Sequence, residues 1–203
     1  MNVLNLYAGI GGNRKYWCDC QVTAVETNKK IAAVYQRQHP DDTMIVGDAH
    51  EYLRQNHGNF DFIWSSPSCQ THSKMAKATR HKNRRYPDMT LYEEILFLQH
   101  FFKGRWVVEN VAPFYEPLIH PTQKIGRHLF WANFDFEAKD VRRPENFINL
   151  ANLDGKKALQ DWLGIHYEEN IYYEGNHCPA QVLRNCVHPD LGLQIYTAAR
   201  DAA

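Results

Sequence analysis

The chain has 203 residues, with 23 basic and 23 acidic side chains and a formal net charge of zero at pH 7. This length suits one domain, or one domain with a small appendage, and lets the chain bury roughly two thirds of its unfolded surface. The balance of charge excludes a uniformly basic, polyanion-binding protein, so a nucleic-acid-binding face must come from local clustering.

Apolar runs typical of buried parallel strands recur along the chain at 3–6, 22–25, 44–46, 60–64 and 106–108. Helical periodicity predicts helices at 28–38, where Ile31, Val34 and Tyr35 share one stripe, and at 90–102. Strands that alternate with helices predict an α/β fold with a doubly wound, mostly parallel sheet.

The character of the sequence changes at 137–180, which is polar and rich in turn residues around one short helical pattern at 156–163. A last helix is predicted at 191–199. We therefore predict a main α/β domain over 1–136, a small insert over 137–180, and a C-terminal return to the main domain over 181–203.

The five cysteines form an odd number with no C-x-x-C pair, which argues against a disulfide framework and a zinc ribbon. We expect no metal site. The N-terminus lacks a basic segment followed by an apolar one, and no apolar run approaches the ~20 residues that span a bilayer. These features predict a soluble protein of a reducing cytoplasm, without a membrane partner.

A glycine-rich turn follows the first strand, with the sequence Tyr7, Ala8, Gly9, Ile10, Gly11, Gly12. Such a turn alone is more often a simple strand-to-helix connection. Two carboxylates end the next two strands: Glu26 can accept from both hydroxyls of a ribose, and Asp48 from an adenine amino group. Either acid alone would be interpreted as a helix N-cap, but together with the turn they predict a cofactor site.

A thiol and a carboxyl group follow two further strands. Cys69 lies in a Ser-Pro-Ser-Cys-Gln turn after the run at 60–64, where backbone N–H groups can stabilise a thiolate. Glu109 ends the run at 106–108 and is flanked by apolar residues that indicate burial. Because both follow strands of one sheet, we expect a nucleophile and an acid in one pocket. The other cysteines are interpreted as inert.

Three motifs in this order resemble those of the DNA (cytosine-5)-methyltransferases: the glycine turn at 4–12, Pro67-Ser68-Cys69-Gln70, and Glu109-Asn110-Val111. The resemblance covers roughly the first 135 residues and resumes near 181–192. It implies a Rossmann-like, S-adenosylmethionine-dependent methyltransferase that acts on carbon 5 of cytosine in double-stranded DNA. The small size resembles that of phage-encoded members, so we expect a bacterial or phage-infected cell.

The resemblance assigns residues to the cofactor, S-adenosylmethionine. An aromatic at Tyr7, glycines at Gly9 and Gly11, Glu26 on the ribose and Asp48 on the adenine are the family's contacts. Neighbouring positions complete the expected cofactor site: Ala8, Ile10, Gly12, Thr27, Ala49, Pro67, Leu91 and Asn185.

The implied chemistry begins with addition of the Cys69 thiolate to carbon 6 of the ring, while Glu109 donates a proton or hydrogen bond to ring nitrogen 3. This role requires a raised pKa for Glu109 in a water-poor pocket. The family's Arg-x-Arg pair is matched cleanly only by Arg127, because Leu129 stands where a second arginine is expected. His128 is a candidate for the missing group.

A base inside a duplex is inaccessible to a thiol, so the implied reaction requires base flipping. A basic segment follows Cys69 directly, and although a charge run is usually only a solvated face, this position favours contact with DNA phosphates. The expected DNA-binding residues are Gln70, Ser73, Lys74, Lys77, Arg80, Lys82, Arg84 and Arg85.

The insert is too short for a full recognition domain, so we expect a short or relaxed target sequence. Arg184 replaces a usual glycine beside Asn185, which fits either a surface-pointing side chain or an anionic variant of the cofactor. Two alternatives stay open: a transferase with the same chemistry on tRNA, and a catalytically silent nucleic-acid-binding module. We expect a monomer and leave open a cognate endonuclease of a restriction–modification pair.

Overall fold

The computed structural model describes residues 1–74, 86–145, 147, 153–172 and 178–202. Its centre is a seven-stranded sheet in the order β3-β2-β1-β4-β5-β7-β6. The strands are β1 (Asn2–Leu6), β2 (Gln21–Glu26), β3 (Thr43–Val46), β4 (Phe62–Ser65), β5 (Arg105–Val111), β6 (Gln123–Ile125) and β7 (His128–Ala132). The first five strands are parallel to one another, as the apolar runs predict.

Helices cover both faces of the sheet: α1 (Lys29–Gln38), α2 (Ala49–Asn56), α3 (Thr90–Phe101), α4 (Leu153–Leu163), α5 (Gln181–Arg184) and α6 (Pro189–Asp201). Alternate residues of β1 pack against different helices on the two faces of the sheet. Val3 packs in a cluster with Leu191 and Ile195 of α6, whereas Leu4 packs with Leu53 of α2 and residues of α3. The doubly wound α/β fold predicted from the sequence is therefore confirmed.

The start of α1 shows how the sequence specifies an element. Asn28 is the N-cap, and its side-chain oxygen accepts hydrogen bonds from the backbone N–H groups of Lys30 and Ile31. The predicted stripe of Ile31, Val34 and Tyr35 is buried. The helix ends at Gln38, two residues before a proline.

An antiparallel hairpin completes the sheet and was not predicted. β7 pairs antiparallel with β5 over five residue pairs, and β6 pairs with β7. The turn between β6 and β7 contains Gly126 and Arg127, with Gly126 at a φ of 57°. The hairpin thus places Arg127 and His128 beside the end of β5, where Glu109 lies opposite Phe130 in register.

The polar insert packs against the glycine turn and α1. Phe147, Leu159 and Leu163 belong to one buried cluster with Ile10 of the glycine turn and Ile31 of α1. The boundaries at 136 and 180 stay a prediction, because the insert shares this core rather than having one of its own. No helix of the described ranges is long and apolar enough to cross a bilayer.

Strand order changes direction between β1 and β4, since β2 and β3 lie to one side and β5 to the other. Loops that leave the carboxyl ends of two such strands diverge and open a crevice between them. Here these loops are the glycine turn after β1 and the Cys69 turn after β4. The topology therefore places the two predicted motifs at one crevice.

Candidate active site

A cavity of about 510 Å³ lies at the carboxyl ends of β1, β2, β4 and β5. Its lining combines the glycine turn, the end of β2, the Cys69 turn, the end of β5, the β6–β7 turn and the segment after α5. Of the predicted site residues, it brings together Tyr7, Ala8, Gly9, Gly12, Glu26, Thr27, Pro67, Cys69, Gln70, Glu109, Arg127 and Asn185.

The glycine turn needs its glycines for two different reasons. Gly9 has a φ of 55°, and a Cβ built on it would meet no atom within 4 Å, so the backbone borders open cavity. A Cβ on Gly12 would instead lie 2.7 Å from the carbonyl oxygen of Val187. The turn therefore exposes backbone to a ligand and packs closely on the C-terminal segment.

Glu26 connects the end of β2 to the glycine turn. One carboxylate oxygen accepts from the Gly9 N–H at 3.1 Å, and the other accepts from the Asn28 N–H at 2.9 Å. Burial raises the pKa of Glu26 above its ordinary value, although these backbone hydrogen bonds lower it in part. Each oxygen keeps acceptor capacity for a ligand hydroxyl.

Other predicted cofactor residues lie away from the cavity lining. Asp48 is exposed, and its carboxylate caps α2 by accepting from the Glu51 N–H at 2.9 Å. Ile10 and Leu91 are buried in apolar clusters, and neither Gly11 nor Ala49 lines the cavity. In this structure Asp48 is therefore the N-cap of α2, the alternative role considered for it in the sequence analysis.

A buried polar network behind Tyr7 was missed by the sequence analysis. The Tyr7 hydroxyl donates to Glu94 of α3 at 2.6 Å, and the Ser65 hydroxyl donates to the other oxygen of Glu94 at 2.5 Å. His50 lies 3.2 Å from Glu94. Burial and the Glu94 carboxylate raise the pKa of Tyr7 far above its ordinary value. A glutamate on the apolar stripe of a predicted helix is the signal that could have revealed this network.

The Cys69 turn is held by Asn110, whose side-chain nitrogen donates to the Pro67 carbonyl oxygen at 2.9 Å. Asn110 of β5 thus fixes the backbone of this turn. Burial and the nearby Glu109 carboxylate raise the pKa of Cys69, and Arg127 and the Cys69 backbone lower it by less. The Cys69 backbone N–H lowers the pKa, as expected for this turn, but burial and Glu109 outweigh it, so the free chain favours the protonated thiol.

Glu109 is buried and pairs with His128, whose Nδ1 lies 2.6 Å from the Glu109 Oε1. Burial raises the pKa of Glu109, but the His128 imidazole, the Ser66 hydroxyl and Arg127 together lower it below the ordinary value. This lowered pKa, which includes attraction to a protonated His128, departs from the raised pKa of Glu109 expected from the sequence. Burial was predicted correctly, but the partner that reverses its effect comes from the unpredicted hairpin.

Arg127 lies at the junction of the site and the insert. Its Nε lies 3.2 Å from the His128 Nε2, its Nη2 donates to the Arg184 carbonyl oxygen at 2.6 Å, and its guanidinium carbon lies 5.3 Å from the centre of the Phe147 ring. Leu129, where a second arginine was expected, is a buried core residue. His128 lines the cavity in its place.

Of the remaining predicted residues, some are described in the structure and others are not. Gln70 and Lys74 are exposed, and Ser73 forms a β-bridge with Pro113. Arg184 does not line the cavity, and its guanidinium donates to the Cys178 sulfur at 3.0 Å. The other predicted DNA contacts lie outside the described residues: Lys77, Arg80, Lys82, Arg84 and Arg85.

A family model described as C-5 cytosine-specific DNA methylase matches residues 1–118 of the 203-residue chain. This region contains β1 to β5 with the glycine turn, Cys69 and Glu109. The chain belongs to the C-5 cytosine-specific DNA methylase family. Membership implies S-adenosylmethionine as the methyl donor, as predicted. A search of curated proteins found no sequence that matches this chain.

Solved structures of other proteins are similar to this chain. Entamoeba histolytica methyltransferase EhMeth is 10% identical, with a TM-score of 0.55 over 100% of this chain and 98% of that one. A DNMT2 triple mutant from Spodoptera frugiperda is 23% identical, with a TM-score of 0.40 over 54% of this chain and 35% of that one. A SAM-dependent methyltransferase from Agrobacterium tumefaciens is 13% identical, with a TM-score of 0.41 over 57% of this chain and 40% of that one. The chain therefore matches well under half the length of the last two proteins.

The cavity fits a nucleoside-type donor in two observable respects. Gly9 leaves open space where any other residue would place a Cβ, so a ligand can approach the backbone. Glu26 faces the same cavity with both oxygens fixed by backbone N–H groups, which orients their remaining lone pairs. These residues suit the close approach and the paired hydroxyls of a ribose.

Proposed function

We propose that this protein transfers a methyl group from S-adenosylmethionine to carbon 5 of cytosine in DNA, with Cys69 as the nucleophile. The observation that supports this most is the composition of one cavity. Cys69, Glu109 and Arg127 line it together with Gly9 and Glu26, so the proposed chemistry and the proposed cofactor contacts share one space.

Bound S-adenosylmethionine supplies an electrophilic methyl group. Gly9 and Glu26 would bind and orient the donor, and Pro67 and Asn185 would border it. Asp48 follows β3, the next strand along the same sheet edge, where an adenine could extend beyond a ribose held by Glu26. We keep Asp48 as a proposed adenine contact and treat it in a prediction below.

The covalent step assigned to Cys69 activates the ring. A bond forms between the Cys69 sulfur and carbon 6, the carbon 5–carbon 6 π electrons shift into the ring, and nitrogen 3 receives a proton from Glu109. Carbon 5 then takes up the methyl group, whose former bonding pair stays on the donor sulfur, and nitrogen 3 returns its proton to Glu109. Water takes the proton from carbon 5, the electrons of that C–H bond form the carbon 5–carbon 6 double bond, and the sulfur–carbon 6 bond breaks with its electron pair on sulfur, which restores the aromatic ring. Cys69 ends as a thiolate, so it acts catalytically.

Two protonation states must change when the substrate binds, because the free chain favours a protonated Cys69 and an ionised Glu109. A neutral base packed against Glu109 excludes water and favours the protonated carboxyl group. Neutralising Glu109 also removes the negative charge that raises the pKa of Cys69. Transfer of the Cys69 proton to Glu109 therefore prepares both groups, since it gives a thiolate and a carboxylic acid together.

Reaching the cavity requires the target base to leave the duplex. The basic segment that includes Lys77, Arg80 and Lys82 follows Cys69 directly in the sequence, and we propose that it contacts phosphates beside the flipped base. The insert over 137–180 is small, so we propose that the protein recognises a short or relaxed target sequence.

Methyl transfer should be measured with labelled S-adenosylmethionine on mixed-sequence duplex DNA, with bulk tRNA as a parallel substrate. The proposal expects label at carbon 5 of cytosine in DNA, its loss in Cys69→Ser, and its retention in Cys18→Ser, a control at an exposed cysteine. Label in tRNA with none in DNA would contradict DNA as the substrate. Turnover by Cys69→Ser would contradict the covalent mechanism.

Phosphate contact is tested separately by the salt dependence of binding. Replacing Lys77, Arg80, Lys82 and Arg84 by glutamine should weaken DNA binding for all sequences and flatten the plot of log affinity against log salt, by about one unit of slope per lost contact. Lys103→Gln, at an exposed lysine after α3, is the control. Equal slopes in the wild type and the quadruple variant would exclude phosphate contact by these residues.

A further inference from the structure

Three side chains form a continuous chain of contacts along one wall of the cavity. The Arg127 Nε lies 3.2 Å from the His128 Nε2, and the His128 Nδ1 lies 2.6 Å from the Glu109 Oε1. The His128 and Glu109 side chains are only 9% and 7% exposed. All three residues line the cavity, so the chain ends at the carboxyl group assigned to the substrate base.

These contacts specify the protonation of His128. A guanidinium has only N–H donors, so its contact with the His128 Nε2 is a hydrogen bond only when that nitrogen carries no proton. The remaining ring hydrogen then lies on Nδ1, where it donates to Glu109. Both contacts are satisfied together by a neutral imidazole in its Nδ1–H form, held between a cation and a carboxylate.

The surroundings of His128 leave these two partners in place. A small second cavity on its other side is lined by Asp140, Arg143 and His188, among others, and no hydrogen bond joins them to His128 among the described residues. Ser66 and Cys69 border Glu109 from the turn after β4. Arg127 itself is fixed from behind by the Arg184 carbonyl oxygen and the Phe147 ring.

We propose that His128 is a positioning residue for methyl transfer, which transmits the fixed orientation of Arg127 to Glu109 through a neutral Nδ1–H imidazole. This inference rests on the proposed function, because it assigns the role of His128 through that of Glu109. His128 contacts Oε1 and Ser66 also hydrogen-bonds the carboxyl group, so the proton for the base is assigned to the oxygen that His128 does not contact. His128 performs the orienting task of a second guanidinium without adding its charge, so Glu109 accepts a proton more readily than between two arginines.

The ring nitrogens of His128 can be observed directly, without methyl transfer. Nitrogen-15 NMR of the full-length, histidine-labelled chain at pH 7.5 distinguishes a protonated from an unprotonated ring nitrogen, and the signal that disappears in His128→Asn identifies this residue. We expect a protonated Nδ1 and an unprotonated Nε2. An Nε2–H form or an imidazolium would overturn the inference, whether or not the protein methylates DNA.

Kinetics test the positioning role with matched variants. His128→Leu removes the donor and should lower kcat on the order of 10- to 100-fold with little change in KM for S-adenosylmethionine, as expected for a misplaced catalytic group. His128→Asn can place an amide N–H near the position of Nδ1 and should recover most of that loss. His100→Asn, on the exposed face of α3, is the control.

A wild-type kcat in His128→Leu would overturn the inference. So would equal losses in His128→Leu and His128→Asn in two folded variants, since a merely structural role would give no recovery by the amide. If the wild type methylates no nucleic acid, the proposed function fails, and the NMR result still decides whether the chain from Arg127 to Glu109 exists.

Discussion

Replacing Glu26 by glutamine should weaken both folding and binding of S-adenosylmethionine. The carboxylate accepts from two backbone N–H groups, Gly9 at 3.1 Å and Asn28 at 2.9 Å, with one oxygen each. Glutamine offers one oxygen and one NH₂ group, so one of these buried N–H groups must face a donor in either orientation of the amide.

The magnitude follows from that lost acceptor. A buried donor left without a partner costs about 1–3 kcal/mol, and the neutral amide also bonds the other N–H more weakly than a carboxylate. Removing a buried charge, whose burial raises the pKa of Glu26, offsets part of this loss. We therefore expect the free energy of unfolding to fall by about 1–3 kcal/mol.

Cofactor affinity should fall further than the change in folding explains. Hydrogen bonds from ribose hydroxyls to a carboxylate are worth about 1.5–3 kcal/mol, so the Kd for S-adenosylmethionine should rise about 10- to 100-fold. Calorimetry on folded protein gives the Kd, and urea unfolding gives the stability. Glu51→Gln makes the same change at an exposed site on α2 and should alter neither quantity by much. An unchanged Kd in a folded Glu26→Gln protein would refute the assignment of Glu26 to the cofactor.

Three further changes separate roles at the same site. Gly9→Ala should cost about 1–2 kcal/mol of stability at a φ of 55° and place a methyl group in the cavity, so calorimetry should show weakened S-adenosylmethionine binding, whereas unchanged binding would exclude close approach to this turn. Asp48→Ser retains an N-cap and should leave stability within about 0.5 kcal/mol while the Kd for the cofactor rises roughly 3- to 10-fold; an unchanged Kd would make Asp48 a cap alone. Glu109 has a lowered pKa in the folded chain, so it contributes stability above the ordinary carboxyl pKa of about 4.3 that is lost as the pH falls through the folded value. Urea unfolding of Glu109→Gln between pH 3 and 6 should therefore show a smaller acid-side loss than the wild type, and identical pH dependence would contradict the lowered pKa.

The fold was largely predictable because its signals are local. Each buried parallel strand is a short apolar run, and α1 has both a capping asparagine and an apolar stripe. The β6–β7 hairpin was missed because its strands are short and its pairing with β5 is a long-range contact. Helix α2 was missed because few of its residues are apolar, with Ala49 and Leu53 as its buried positions.

The sequence predicted which residues line the site, but not the direction of their pKa shifts. Strand ends identified Glu26, Cys69 and Glu109, since the carboxyl ends of parallel strands meet at one edge. The pKa values of Cys69 and Glu109 depend on burial and on partners from other elements, above all His128 of the unpredicted hairpin. A sequence pattern contains no distance between such elements, so the direction of these pKa shifts could not be obtained from it.

Covalent trapping tests the central claim most directly. A duplex with 5-fluorocytosine at its target positions, incubated with the protein and S-adenosylmethionine, should yield a complex that survives denaturation, because fluorine on carbon 5 cannot leave as a proton does. Mass spectrometry of the digested complex should place the base on the Cys69 peptide, and Cys69→Ser should form no complex while Cys18→Ser forms as much as the wild type. A stable complex through another cysteine, or none with a duplex that the protein methylates when fluorine is absent, would contradict the Cys69 mechanism.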